Sequence, residues 1–318
     1  MLFRSPEVEV VGVVDPQAER AFAAIQAHGL DPGVHAETLE HLLARTPVEL
    51  VVNLTPPRAH RAVIEAAFAA GCDVITEKPL ASTFEDASAL VRLSERTGRW
   101  LAVMQNRRYA PAIRRLGDEA RAGAIGSLTQ LGADMLMLPS HRSSYFGDSA
   151  HPLLTDMAIH TFDQARYLSG RDARRVVCHE FGPWTDGRPV NAVATFELDD
   201  NVAFSYRGSW STPGHATSYD AAWRLSGADG TLLWDSWGEP SLAVRQSGDV
   251  APSRDVQRWP VDDASGFDVC LRAMLGALVR GEPAETDSHD HLRSLAMVYA
   301  AIRSAEQRRW VDLDELAR

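Results

Sequence analysis

The chain has 318 residues, 45% hydrophobic and 24% charged, a globular composition at a length that suggests two domains. Its net charge of -11 argues against nucleic acid or an anionic membrane surface as the main partner, because both reward an excess of Lys and Arg. Cys72, Cys178 and Cys270 share no close spacing, so they indicate neither a disulfide framework nor a zinc site and fit a reducing cytoplasm. No apolar run approaches the roughly 18 residues of a membrane span, and the first residues carry no signal-peptide pattern.

The first element is a β-rich run, Glu7-Val-Glu-Val-Val-Gly-Val-Val14, stopped by Asp15-Pro16. Helical patterns follow at Gln17–Gly29 and at about 37–45. Val48-Glu-Leu-Val-Val-Asn-Leu-Thr55 is nearly all apolar, as expected of a parallel strand buried on both faces. Pro56-Pro57 ends it, and the helical spacing of Val63, Ile64, Ala67, Phe68 and Ala70 predicts a helix over 58–70, with Gly71 at its C-terminus. Cys72–Thr76 is the next strand; Ser82-x-x-Glu85 reads as a capping box for a helix to Gly98, and Trp100–Met104 as one more strand. Repeated βα units of this length give a parallel, doubly wound sheet.

Asp15 occupies a suggestive place. In a dinucleotide fold a carboxylate closing the second strand, about 20 residues after a glycine-rich turn, accepts hydrogen bonds from the adenosine ribose and favours NAD over a 2′-phosphorylated cofactor. No Gly-x-Gly-x-x-Gly occurs in the sequence, so the reading is of a Rossmann-type domain entered at its second strand, with weakened dinucleotide binding expected. The alternative reading of Asp15 is a turn carboxylate in an Asp-Pro pair.

Beyond residue 105 the pattern changes. A helix at about 110–122 ends near Gly123-Ala-Ile-Gly126, and strands then dominate. Ala194, Phe196 and Leu198 alternate with polar residues, as do Val202, Phe204 and Tyr206, around the turn Asp199-Asp200-Asn201, which predicts an antiparallel hairpin with one covered face. Further strands are expected at 127–137, 174–181, 221–226, 230–235 and 241–246, and closing helices at about 265–280 and 287–307. The expected organisation is α/β: a Rossmann-type parallel sheet over 1–104, its first strand missing, then an α+β domain with an open antiparallel sheet over 105–318.

"TEKPLA" (76–81), "QNRRYAP" (105–111), "AGAIGSL" (122–128), "DMAIHTFDQARYLSG" (156–170) and the ending "SLAMVYAAIRSAEQRRWVDL" together resemble the Gfo/Idh/MocA oxidoreductase family, in family order over essentially the whole chain. The resemblance implies transfer of a hydride between NAD, or NADP, and a hydroxyl of a sugar, cyclitol or related polyol. It also implies a homodimer or homotetramer formed through the antiparallel sheet. Ala150-His151-Pro152 replaces a Gly-Gly pair usual in the family.

Alcohol oxidation needs a group to take the hydroxyl proton as the hydride leaves. Asp156 and His160 are spaced i,i+4, so a helix would project them from one face; imidazole suits the proton acceptor and Asp156 its orientation, or a substrate hydroxyl. A structural hydrogen bond is the plainer alternative. Lys78, after a buried strand and beside Glu77 and Pro79, stands where open α/β sheets bind ligands and is the rival acceptor. The family implies cofactor contacts from Thr55-Pro56 with His60 nearby, from Glu77 and Lys78, and from Asn106 and Arg108; a surface salt bridge is the alternative for Arg108. His141, Arg142, Tyr145 and His151 are the candidate substrate ligands, and no metal is expected. Tyr206, Trp210 and Trp223 are candidates for either packing or a dimer interface. A non-catalytic relative that binds a sugar-like ligand or a partner is the second functional reading.

Overall fold

The computed structural model describes residues 8–138, 149–183, 187–245, 256–262 and 264–317. Two compact units emerge, residues 1–104 with 277–288, and residues 105–276 with 289–318. The stretch 277–288 lies with the first unit, not with the second as the sequence suggests, because it runs beside the last parallel strand. Val103 N–H donates to the Thr286 carbonyl at 2.9 Å, and Trp100 Nε1 donates to the Glu282 carbonyl at 2.9 Å.

The first unit runs β1 (Val13–Val14), α1 (Ala18–Ala27), β2 (His35–Ala36), α2 (Leu39–Arg45), β3 (Leu50–Asn53), α3 (Pro57–Ala69), β4 (Asp73–Glu77), α4 (Phe84–Thr97) and β5 (Leu101–Met104). All its strand pairs are parallel: β1 with β2, and β3–β4–β5 in a separate sheet. Val74 and Ile75 of β4 and all of β5 are buried, under α3 through Ile64, Ala67 and Phe68 and α4 through Ala87, Leu90 and Val91. The predicted burial of β3 on both faces is not met, since Leu50, Val51 and Val52 stay half-exposed. Among the described residues, β3 pairs only with β4 and β1 only with β2, so each keeps one edge without a neighbour and both strands are shorter than expected. The cap of α4 is shifted by one residue from the predicted box: the Thr83 hydroxyl, not that of Ser82, accepts from the Asp86 N–H at 3.1 Å.

The second unit holds α5 (Pro111–Arg121), β6 (Leu128–Leu136), α6 (Ile159–Ser169), β7 (Ala173–Pro183), β8 (Pro189–Leu198), β9 (Val202–Ser209), β10 (Ala222–Gly227), β11 (Gly230–Trp234), β12 (Ser241–Val244), β13 (Val256–Arg258), most of α7 (Gly266–Arg280) and of α8 (Ser288–Gln307), and β14 (Val311–Asp312). Among the described residues its strands form one nine-stranded sheet ordered β13-β12-β11-β10-β6-β9-β8-β7-β14. The expected antiparallel sheet is in fact mixed, because β6 and β9 pair in parallel at its centre. α6 and the β7–β8 pair intervene between them, a connection long enough for a parallel crossover. In the β8–β9 turn Asp200 and Asn201 both take φ of 58°, a left-handed conformation that Asp and Asn tolerate.

One face of this sheet packs on α6. The Phe162 ring meets Phe196 and Tyr206 edge-on at 4.8 and 5.1 Å, and Phe204 stacks on Trp223 at 5.9 Å. Tyr206, Trp210 and Trp223 are fully buried in this arrangement, which assigns all three to packing. On the opposite face, Arg224, Gly132, Ser205 and Thr195 lie in one cross-strand row over β10, β6, β9 and β8.

Candidate active site

Each unit holds its own group of candidate residues. In the first, the carboxyl ends of β1, β3 and β4 are where an open parallel sheet places ligands. The Asp15 Oδ1 accepts from the Gln17 N–H at 2.7 Å, a turn into α1 that leaves the carboxylate half-exposed. After β3, Asn53 organises the turn: its Oδ1 accepts from the Thr55 hydroxyl at 2.7 Å and N–H at 3.2 Å, and its Nδ2 donates to the Thr76 Oγ1 at 3.1 Å. Pro56 is exposed at the head of α3. After β4, Glu77 and Lys78 are half-buried, the Lys78 N–H donates to the Glu77 Oε2 at 3.2 Å, and the Lys78–Pro79 peptide is cis. Burial pushes the Glu77 carboxyl up, against the opposing Lys78 N–H and charge.

His60 is placed differently from the expectation. Its ring has no accessible surface and both nitrogens face backbone carbonyls, so it has nothing to offer a cofactor directly.

In the second unit, Asn106–Tyr109 form one 3-10 turn in which Asn106 and Arg108 are buried. The expected cofactor contact of Arg108 gives way to an ion-pair network. The guanidinium donates to Asp163 at 2.5 and 2.9 Å and to Asp290 at 2.6 Å, and Arg166 adds a contact to Asp290 at 2.9 Å. Burial works against the Asp290 carboxylate, but Arg108 and Arg166 outweigh it and hold its pKa below the usual range. The network could not be read from "QNRR" alone, because Asp163 and Asp290 are 55 and 182 residues away from Arg108 in sequence.

Asp156 and His160 share one helix, but not in the simple i,i+4 relation the sequence predicts. Asp156 sits half-buried in a π-helical turn, Leu154–Ala158, and His160 lies buried just beyond it in α6. A π turn is wider than an α turn and shifts the face that follows; such turns recur at functional sites. Two glutamines outside the expected set hold the flanking segment to this helix: Gln105 Nε2 donates to the Ile159 carbonyl at 3.4 Å and Gln164 Nε2 to the Arg107 carbonyl at 3.0 Å. His151, expected to meet substrate, is instead held by Glu180, with Glu306 at 3.3 Å on its other nitrogen. The hydrogen bond to Glu180 raises its pKa, against burial. His141, Arg142 and Tyr145 lie outside the described residues. Among the described residues no cluster of three His, Cys, Asp or Glu side chains could hold a metal ion.

Residues 1–105 match the family described as an oxidoreductase family with an NAD-binding Rossmann fold, and residues 113–233 match the GFO/IDH/MocA C-terminal domain. Among curated proteins, the chain is 28% identical to a D-apiose dehydrogenase of Paraburkholderia graminis, over 97% of this chain and 84% of the relative. It is 30% identical to a myo-inositol dehydrogenase of Streptomyces leeuwenhoekii, over 78% and 75% respectively. Among solved structures, an oxidoreductase from Agrobacterium radiobacter in complex with NAD+, L-tartaric acid and magnesium superposes with a TM-score of 0.88 at 20% identity, over 96% of this chain and 91% of that one.

Proposed function

The chain belongs to the Gfo/Idh/MocA oxidoreductase family, and from that premise we propose that it oxidises a hydroxyl of a sugar, cyclitol or related polyol, passing the hydride to NAD. The observation that carries this substrate class is the likeness over 97% of the chain to a dehydrogenase named for a sugar.

The described residues fit part of NAD. The half-exposed Asp15 carboxylate suits the adenosine ribose hydroxyls, and the Thr55–Pro56 turn and Lys78 suit the nicotinamide half. A glycine-rich phosphate cradle is not among the described residues. NAD would supply the hydride acceptor. Asp15 would favour it over NADP, since a carboxylate there repels a 2′-phosphate.

The protein's own task is the proton. Either the Lys78 amine or the His160 imidazole takes it from the substrate hydroxyl, with Asp156 orienting the imidazole or a substrate hydroxyl. The half-burial of Lys78 and the burial of His160 limit water around both bases. Asn106, His141, Arg142 and Tyr145 remain proposed ligand contacts.

No helix among the described residues is long and apolar enough to cross a membrane. The three cysteines are buried and form no disulfide among the described residues, which supports a reducing, cytoplasmic setting. We further assign self-association to the open sheet face, whose small Gly132, Ser205 and Thr195 and exposed Val193 and Leu233 suit a flat contact with a second copy. The activity is tested by following nicotinamide absorbance with NAD and NADP against inositols, aldoses and linear polyols. Reduction of NAD by such a substrate is expected, and its absence across the set contradicts the assignment.

A further inference from the structure

His60, in the first turn of α3, reaches two turns at once. Its Nε2 lies 2.7 Å from the Thr55 carbonyl oxygen and its Nδ1 2.8 Å from that of Pro79. The first carbonyl closes the turn after β3; the second belongs to the residue next to Lys78, after β4. β3 and β4 are neighbours in register, Asn53 opposite Thr76, and the Asn53–Thr76 side-chain bond already joins their ends. That bond stops at the strand ends, whereas His60 reaches past Lys78. A neutral imidazole has one N–H and can donate to one carbonyl; the protonated ring donates to both. Burial, the largest influence, favours the neutral ring, while the carbonyls of Thr55, Pro79 and Leu80 pull the other way. One side chain without solvent access thus touches both turns.

We propose that His60 is a positioning residue: its ring fixes the Thr55 turn and the Lys78–Pro79 turn relative to each other, and so holds Lys78 for proton transfer without touching substrate or cofactor. The role of Lys78 rests on the function proposed above; the joining of the two turns does not.

His60→Phe keeps the ring but removes both nitrogens, and His60→Gln keeps one donor group. Amide hydrogen exchange on the cofactor-free chain should show His60→Phe raising exchange at Leu54 and Thr55 and at Lys78, Leu80 and Ala81 together, with α1 unaffected. Turnover should fall roughly 10- to 100-fold, the scale of a misplacement of about 1 Å, with little change in the polyol KM. His60→Gln should recover part of both effects, and carries both measurements if His60→Phe does not fold. Exchange that rises throughout the unit, or turnover per folded molecule that stays at the wild-type level, would overturn the proposal by leaving His60 as a core residue only. If the wild-type chain reduces neither NAD nor NADP with any polyol, the functional premise fails, and the exchange at the two turns alone decides whether His60 joins them.

Discussion

The pKa values of His60 and His151 are shifted in opposite directions, which gives the fold a pH signature. Burial lowers the His60 pKa from 6.5, so its contribution to stability is lost as the pH falls from about that value through the lowered folded one. The Glu180 bond raises the His151 pKa above 6.5, so its contribution is complete below that value and lost as the pH rises through the raised one. Melting temperature followed against pH should show His60→Gln flattening the acid limb and His151→Gln flattening the limb above 6.5. Matching profiles for the two variants would contradict these assignments. In catalysis, Lys78→Ala and His160→Ala should each reduce kcat by roughly 10²-fold or more, the scale of losing a positioned acid or base. Unchanged turnover in either variant removes that residue from the mechanism.

Among elements, α6 shows best what sequence patterning reveals and what it hides. Its motif pointed to Asp156 and His160, yet no periodicity marks the π turn, because the helix is buried on nearly every side and has no polar stripe whose phase could shift. The polar residues that seem to break its apolar pattern, Asp163 and Arg166, are buried against Arg108, Asp290 and Asp172. Arg108→Ala leaves the Asp163 carboxylate buried with less compensation and should cost about 3–5 kcal/mol in urea unfolding, far more than loss of a surface pair. A cost below about 1 kcal/mol would show the network to be dispensable. The parallel βα units were legible because each strand is a short apolar run ended by Pro or a turn residue. The lengths of β1 and β3 were not, since an apolar run does not state which of its edges finds a neighbour. The short outer strands β13 and β14 were missed for a related reason: at three and two residues they are too brief for alternation to register.

At the scale of the whole molecule, one sheet face is buried under aromatic rings and the other offers small residues, a division that self-association would complete. Sedimentation should find a homodimer or homotetramer, and Ser205→Arg with Thr195→Arg should shift it to monomer without loss of fold. A monomeric wild-type chain would contradict the assigned face. The central claim is transfer of a hydride from a polyol carbon to the nicotinamide ring. It is tested most directly by incubating the full chain with NAD and inositols or aldoses deuterated at their carbinol carbons, then weighing the reduced cofactor by mass spectrometry. Deuterium in the NADH is expected, and it should be abolished by Lys78→Ala together with His160→Ala. NADH without deuterium, or no NADH with any of these substrates, would contradict hydride transfer by this protein.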